Sequence, residues 1–554
     1  MGFNMHLLTS EIGSFEDLRE QFVWQVPEHF NIATAVCDRH ADGRGDTAIF
    51  WEGSDGQQLT ASFDQLQQQA NRLANVLQAR GVGSGDRIGI ILPQRIEAVV
   101  AHLASYKLGA IAVPLAVLFG GDALQYRLQN SGARVVLVDA SRREMVESLK
   151  PGLAELKLII DCDEKAGDAS YQVLLSRASD QFVTAATFAN DPALLIYTSG
   201  TTGPPKGALV AHRSLIGNLT GFEMSQNFFP EPHDVMWTPS DWAWTGGLLD
   251  ALLPSLYYRR PVLGYMARGF DPEKACDLMA RYRVTNSFLA PTALKMLRQL
   301  GNIQQRYTLH LRGIMSAGEQ VGEELIHWGR DVLGVTINEM WGQTEFNYLV
   351  GNSHRVMPVR PGSMGKPYPG HEVMPIDKQG HPVAVGEVGE LAARCSGDPV
   401  MFLGYWHNEA ATRDKIIGDW FLTGDLGRRD EDGYLWFLGR HDDVISSAGY
   451  RIGPGEIEDC LIKHPAIAQA AAIGSPDALR GEIIKAYVVL VADTAASPEM
   501  KKSIQQHVKE NLAAYEYPRE IEFIDSLPMT TTGKVRRVDL RRLDQGGNLG
   551  VANK

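Results

Sequence analysis

No CxxC pair occurs among the five cysteines, Cys37, Cys162, Cys276, Cys395 and Cys460, which are scattered along 554 residues. That spacing excludes a disulfide framework and the common zinc patterns, so a reducing, cytoplasmic setting is expected. Long apolar runs are missing too: stretches such as Ala110–Phe119 are far too short to span a bilayer. The opening residues, MGFNMHLLTSEIGSFEDL, lack a basic segment followed by a long apolar core, and no secretory signal is expected. Positive charge is not in excess. The formal net charge is −13, which argues against broad nucleic-acid binding but leaves room for a local loop that opposes the global field and binds an anion. Repeats and low-complexity tracts are absent. What the chain does have is apolar content, at 44%, enough for large buried cores and more than one domain.

Strand and helix signals alternate along the first half. DRIGIILP (86–93) reads as a buried strand. RIEAVVAHLASYKLG (95–109) has helical spacing and ends on Gly109 as a C-terminal cap. AIAVPLA and ARVVLVD are further strands around helical GDALQYRLQNSG. This alternation predicts α/β layers on a largely parallel sheet. After about Gly380, short strands with turn residues between them (GEVGELAAR, DWFLTGD, GYLWFLGR) predict a β-rich subdomain. From Asp442 onward a compact α+β pattern follows. The expected architecture is α/β: a large N-terminal domain over 1–440 with several subdomains, one of them β-rich, and a small mobile α+β domain over 441–554.

YTSGTTGPPKGA, Tyr197–Ala208, is the densest local signal. Thr198, Ser199, Thr201 and Thr202 supply hydroxyl donors. Gly200 and Gly203 let backbone N–H groups approach an anion closely, and Lys206 adds charge. The P-loop of NTPases does not fit, because Pro205 stands where its second glycine belongs and no Ser or Thr follows the lysine. The flanks differ as well: ALLIY before and GALVA after read as strands, with a helix starting only near Ser214. The expected unit is strand–loop–strand, built for phosphate.

This stretch resembles the phosphate-loop signature of adenylate-forming enzymes, which include acyl-CoA synthetases, peptide-synthetase adenylation domains and firefly-type luciferases. Further matches follow in order. SAGEQ (316–320) resembles the adenine-side loop, and NEMWGQTE (338–345) the motif that stacks adenine and approaches the α-phosphate. TGDLGRRDEDGYLWFLGRHDD (423–443) resembles the ribose and hinge motifs, SSAGYRIGPGEIE (446–458) the first motif of the small domain, and MTTTGKVRR (529–537) the terminal lysine motif. Runs such as RGEIIKAYVVL are most similar to the medium-chain acyl-CoA synthetases.

The resemblance implies ATP, Mg²⁺ and coenzyme A as cofactors and a small carboxylate as substrate. It implies an acyl-adenylate made from Mg·ATP and acid, then a thioester made by the thiol. Neither step needs a protein nucleophile; both need positioning and charge stabilisation. By the same resemblance Thr198 to Gly203, Lys206, Gly318, Glu319, Gln320, Glu339, Met340, Trp341, Gly342 and Gln343 bind nucleotide, with Trp341 beside adenine. Asp425, in a turn after an apolar strand, and Arg440 hold the ribose. Thr344 lies near the α-phosphate, Glu345 ligates Mg²⁺, and Lys534 neutralises charge during adenylation. Asp442 is the hinge, and Ala448, Gly449, Tyr450, Arg451 and Arg480 meet coenzyme A.

The acyl pocket is expected around Trp242, Trp244, Gly342 and Phe346. Acetate-specific relatives carry a tryptophan directly before Gln-Thr-Glu; Gly342 stands there, so a deeper pocket is expected, narrowed again by Phe346 and the two tryptophans. Each buried methylene is worth about 0.8 kcal/mol, and broad selectivity among short-to-medium, branched or aromatic monocarboxylates follows. A free-standing enzyme loading a carrier protein is the alternative, with a luciferase-like oxygenase a distant third. A homo-oligomer is left open by the sequence.

Overall fold

The computed structural model describes residues 7–8, 13–198, 204–265, 269–440, 443, 445–447, 450–477, 481–492, 494–512, 516–530 and 534–546. The chain divides into two compact units. Among the described residues no helix is long and apolar enough to cross a membrane.

The first unit comprises Met1–Arg360, Gly365–Glu372 and Arg394–Asp419. One of its sheets runs, in spatial order, through Gly404–Tyr405, Lys206–Ala211, Pro192–Thr198, Ile111–Pro114, Arg87–Ile91, Val135–Val138 and Leu158–Asp161. The last five are mutually parallel. Their Val- and Ile-rich sequences are buried on both faces, as parallel strands under helices must be. Helix Ile96–Lys107 crosses between two of them. It stops because Gly109 takes a left-handed φ of +66° that other residues adopt at a cost. The strands and helices expected over 86–139 are thus observed.

The second sheet of this unit carries the parallel strands Asn286–Phe288, Gly313–Ala317 and Ile337–Trp341 side by side. Its core includes Leu278, Leu289, Leu294, Ile314, Val321 and Ile337. SAGEQ and NEMWGQTE therefore both leave the carboxyl ends of adjacent parallel strands, with Ser316 opposite Glu339 and Ala317 opposite Met340. Ligands of open α/β sheets bind at such ends.

The second unit comprises Pro361–Met364, Val373–Ala393 and Trp420–Lys554. Its β-rich part contains the strands Val373–Ile376, Val388–Arg394, Trp420–Arg429 and Leu435–Arg440. Its α+β part packs helices Pro454–Ile462 and Pro498–Asn511 around the long strands Ile467–Asp477 and Gly481–Leu490. Ile457, Leu461, Ile484, Val488, Ile504 and Val508 form the core there. The order of helices and strands matches the sequence pattern. One local expectation is corrected. TGD is not a turn: the strand runs on through Trp420–Arg429, with Gly424 at φ +78° and a bulge between Leu426 and Gly427 absorbing the irregularity.

Candidate active site

The strands on either side of the phosphate-loop motif pair antiparallel. Thr198 stands opposite Lys206, Tyr197 opposite Gly207 and Ile196 opposite Ala208. No helix follows the lysine directly; helix Ser214–Ser225 comes after the return strand. The base of the hairpin is tied on both sides. The Tyr197 hydroxyl donates to Asn130 Oδ1 at 2.7 Å, and the Tyr126 hydroxyl donates to the Pro205 carbonyl at 3.0 Å. Half-buried Lys206 lies with Nζ 5.2 Å from the centroid of the Tyr405 ring.

Tyr405 also reaches the other motif. Its hydroxyl donates to Glu345 Oε1 at 2.6 Å, and the Glu345 carbonyl accepts from the Phe402 N–H at 2.8 Å. Glu345 is buried, while Trp341, Gly342, Gln343 and Thr344 before it are half-buried. The segment 342–347 is a tight turn: the Gln343 carbonyl accepts from the N–H groups of Phe346 at 3.2 Å and Asn347 at 2.6 Å. Phe346 is fully buried, its ring 5.4 Å from that of Trp341. Glu339 and Met340 are buried in the strand below. Gly318 takes φ +96° at the turn that carries Glu319 and Gln320.

Asn347 is held in the left-handed region, φ +45°, and its amide donates to the buried carboxyl of Asp250. Asp250 lies in LLDAL (248–252), a π-helical turn inside an otherwise apolar helix. Burial pushes its carboxyl up to about 8, with the Asn347 hydrogen bond pulling the other way. A folded-state value above the ordinary 3.8 means that this group's contribution to stability is full below about pH 4 and declines as pH rises toward 8. Asp250→Asn keeps an acceptor for Asn347 and removes the titration. The variant is expected to gain stability over the parent by about 1–3 kcal/mol at pH 8.5 and by clearly less at pH 5.5. Denaturant midpoints of both proteins at both pH values check this; an equal difference at the two pH values contradicts it. Glu223, buried and also pushed up to about 8, is common to both proteins and cancels.

The residues expected around the acyl group have unlike surroundings. Trp242 is fully buried, in a space bounded by Gly264, whose replacement by any larger residue would press on the indole. Trp244 is partly exposed and meets Phe119 edge-on, with ring centroids 5.7 Å apart. Gly342 requires a correction. The space a side chain would enter there is not open: a Cβ would overlap the Asn347 carbonyl oxygen and lie 2.5 Å from its carbon. Glycine stands at 342 where two backbone segments touch, and its missing side chain does not by itself deepen a pocket.

In the second unit, Asp425 and Arg440 face each other across an antiparallel pair, with Nε 3.1 Å from Oδ1. Asp425 is buried. Its N–H donates to Thr423 Oγ1 at 3.1 Å, and that hydroxyl donates to the Leu391 carbonyl at 2.6 Å. A fixed carboxylate flanked by a half-exposed guanidinium is a suitable receptor for a diol. Lys534 is exposed and closes a small loop: Thr530 N–H donates to the Lys534 carbonyl at 2.7 Å, and Lys534 N–H donates back to Thr530 Oγ1 at 3.0 Å. Helix Arg537–Asp544 follows at once. Arg537 clamps Glu458 at 2.6 Å and Arg541 binds Asp443 at 2.9 Å. The first pair ties the helix that follows Lys534 to the helix of the GEIE motif, and the second ties it to Asp443. Tyr450 and Arg451 lie in strand Tyr450–Ile452, opposite Ser447 and Ser446.

Ser199, Gly200, Thr201, Thr202, Gly203, Asp442, Ala448, Gly449 and Arg480 lie outside the described residues. Sequence reasoning missed Tyr405, Asp250 and Asn347's partnership with it. A single acidic residue inside LLDALL was a usable signal; Tyr405, in an unremarked GYW, gave none.

A phosphate-type hairpin, two motifs at the ends of adjacent parallel strands, and a carboxylate–guanidinium pair in a second unit define a nucleotide-using enzyme of two parts. Residues 37–406 match the family model for AMP-binding enzymes, and residues 456–534 match that for the AMP-binding enzyme C-terminal domain. The chain belongs to the AMP-binding enzyme family and, within it, to the acyl-CoA synthetases, the AMP-forming acid–thiol ligases. It is 35% identical to an uncharacterized acyl-CoA ligase of Bacillus subtilis over 94% of this chain and 97% of that protein. It is 33% identical to the mitochondrial acyl-coenzyme A synthetase ACSM3 of Rattus norvegicus over 97% and 94%. Among solved structures, the anthranilate CoA ligase AuaEII in complex with anthranoyl-AMP superposes with a TM-score of 0.85 at 29% identity, covering 94% of this chain and 98% of that one.

Proposed function

We propose that this chain converts a short- or medium-chain monocarboxylate, branched and aromatic acids included, to its coenzyme A thioester through an acyl-adenylate. In the first half, a carboxylate oxygen attacks the α-phosphorus of ATP and the bond to pyrophosphate breaks. In the second, the thiol sulfur attacks the acyl carbon and the bond to AMP breaks. The observation that carries this reading is the convergence of Lys206 and Glu345 on Tyr405, in a chain whose relatives are acyl-CoA synthetases.

In this reading Lys206 and the hydroxyls of 198–202 hold the β- and γ-phosphates. Thr344 meets the α-phosphate, Trp341 flanks adenine with Gly318 to Gln320, and Asp425 with Arg440 takes the ribose. Glu345 suits Mg²⁺: it is a hard oxygen donor with one oxygen fixed by Tyr405, and Mg²⁺ takes one or two carboxylates plus phosphate oxygens. The ion, when bound, offsets charge on the phosphates. Residues 441–554 pivot at Asp442, Lys534 serves adenylation, and Gly449, Arg451 and Arg480 serve coenzyme A. The proposal includes a cytoplasmic location, consistent with five free cysteines.

A panel of carboxylic acids from acetate to octanoate, with branched and aromatic members, tests the reading. Coenzyme-A-dependent AMP formation is expected with several neighbouring homologues. AMP formation that needs a carrier protein in place of coenzyme A, or pyrophosphate release with no acid in the panel, overturns it.

A further inference from the structure

Opposite charges placed close together pair with one another unless something stands between them. Lys206 and Glu345 both lie against Tyr405, yet among the described residues no ion pair within 4.0 Å joins them. Tyr405 stands between. Its ring presents a face to the Lys206 ammonium at 5.2 Å, and its hydroxyl donates to Glu345 Oε1 at 2.6 Å. The tyrosine is itself held. Gly404 and Tyr405 pair antiparallel with Leu209 and Ala208 of the lysine strand, and Trp406 N–H donates to the Gly207 carbonyl at 2.7 Å. On the other side Phe402 N–H donates to the Glu345 carbonyl at 2.8 Å, and Tyr405 N–H donates to Thr412 Oγ1 at 2.9 Å. Only 8% of Tyr405 is exposed, so its ring has little freedom to turn away.

We propose that Tyr405 is a positioning residue for the phosphate end of the nucleotide, a spacer that keeps Lys206 and Glu345 from neutralising each other and aims each at the ligand. One oxygen of Glu345 is occupied by the phenol, which leaves the other for a cation; the ring holds the ammonium by a cation–π contact that a phosphate oxygen can outcompete. This rests on the reading of Lys206 and Glu345 as nucleotide-side groups.

Titration calorimetry of ATP onto the full chain, without acid and at graded magnesium, tests it. Tyr405→Phe keeps the ring and removes the hydroxyl. It is expected to raise the magnesium concentration needed for half-maximal ATP binding by about three- to tenfold, the effect of losing one hydrogen bond of ordinary net strength, with magnesium-free ATP binding unchanged. Tyr405→Leu removes the spacer, and magnesium-free ATP binding is expected to weaken as well. Glu345→Gln separates the two ideas. If it leaves the magnesium dependence unchanged, the reading of Glu345 fails. If it shifts the dependence and Tyr405→Phe does not, the role of Tyr405 fails. The two shifts are expected not to add in Tyr405→Phe/Glu345→Gln; full additivity also overturns the proposal. Thermal midpoints of each variant near that of the parent show that the fold is retained.

Discussion

Lys534→Ala is expected to lose pyrophosphate release from ATP and acid by about 10²–10³-fold or more, while thioester formation from supplied acyl-adenylate stays within about threefold of the parent. Adenylation builds negative charge on the α-phosphoryl and carboxylate oxygens, and a preorganised ammonium is worth most where that charge develops. The second half-reaction starts from an adenylate that already exists and has no such demand. The lysine is well placed to be rigid at its base yet accessible at its tip. Reciprocal bonds to Thr530 close its loop, the Arg537–Glu458 clamp fixes the helix just after it, and the side chain is exposed. Removing the ammonium disturbs none of these backbone and arginine contacts, so the variant should fold as the parent does. Two assays decide the outcome: pyrophosphate release, and consumption of synthetic acyl-adenylate with coenzyme A. Equal loss in both would falsify the division of labour.

Gly342→Ala is expected to lower kcat/KM for every acid together, by about one to two orders of magnitude. One added methyl collides with the Asn347 carbonyl, and overpacking of this kind costs about 1–3 kcal/mol, with about 1.4 kcal/mol to each factor of ten. The collision forces open the turn in which Gln343 accepts from Phe346 and Asn347. That turn carries Thr344 and Glu345, so in the proposed reading the damage reaches the groups assigned to the nucleotide before it reaches the acyl group. The ratio of acetate to butyrate should stay within about threefold of the parent, since a uniform loss of positioning does not discriminate by chain length. A variant that keeps acetate and loses only butyrate would restore the reading of Gly342 as an opening in the acyl wall. Asn347→Ala offers a milder companion: it frees Asp250 from its amide and should also reduce both acids alike.

Much of this protein was legible in one dimension. Alternating apolar runs and helical spacing from 86 to 139 gave strands and helices because burial on both faces, or on one stripe, is a local property of sequence. The hairpin of Tyr197–Ala208 was readable because Pro205 and the absence of Ser or Thr after Lys206 rule out the helix-linked loop, and the flanking ALLIY and GALVA can only be strands. The family followed from six motifs in order, each short enough to be read by itself. Where local reading failed, it failed over positions whose meaning depends on a partner. TGD looked like a turn because Gly and Asp favour turns, yet cross-strand pairing with Leu435–Arg440 carries the strand through it.

The sequence by itself therefore determined the class of enzyme and the order of its motifs, since those depend on residue type and spacing along the chain. Only the tertiary structure decided what a side chain at Gly342 would meet, what holds Asn347, and which side chain meets both Lys206 and Glu345. Asp250 and Asn347 are 97 positions apart and Tyr405 and Glu345 are 60 apart. Contacts over such separations are set by how sheets and helices stack, and leave no periodic trace in the residues that make them.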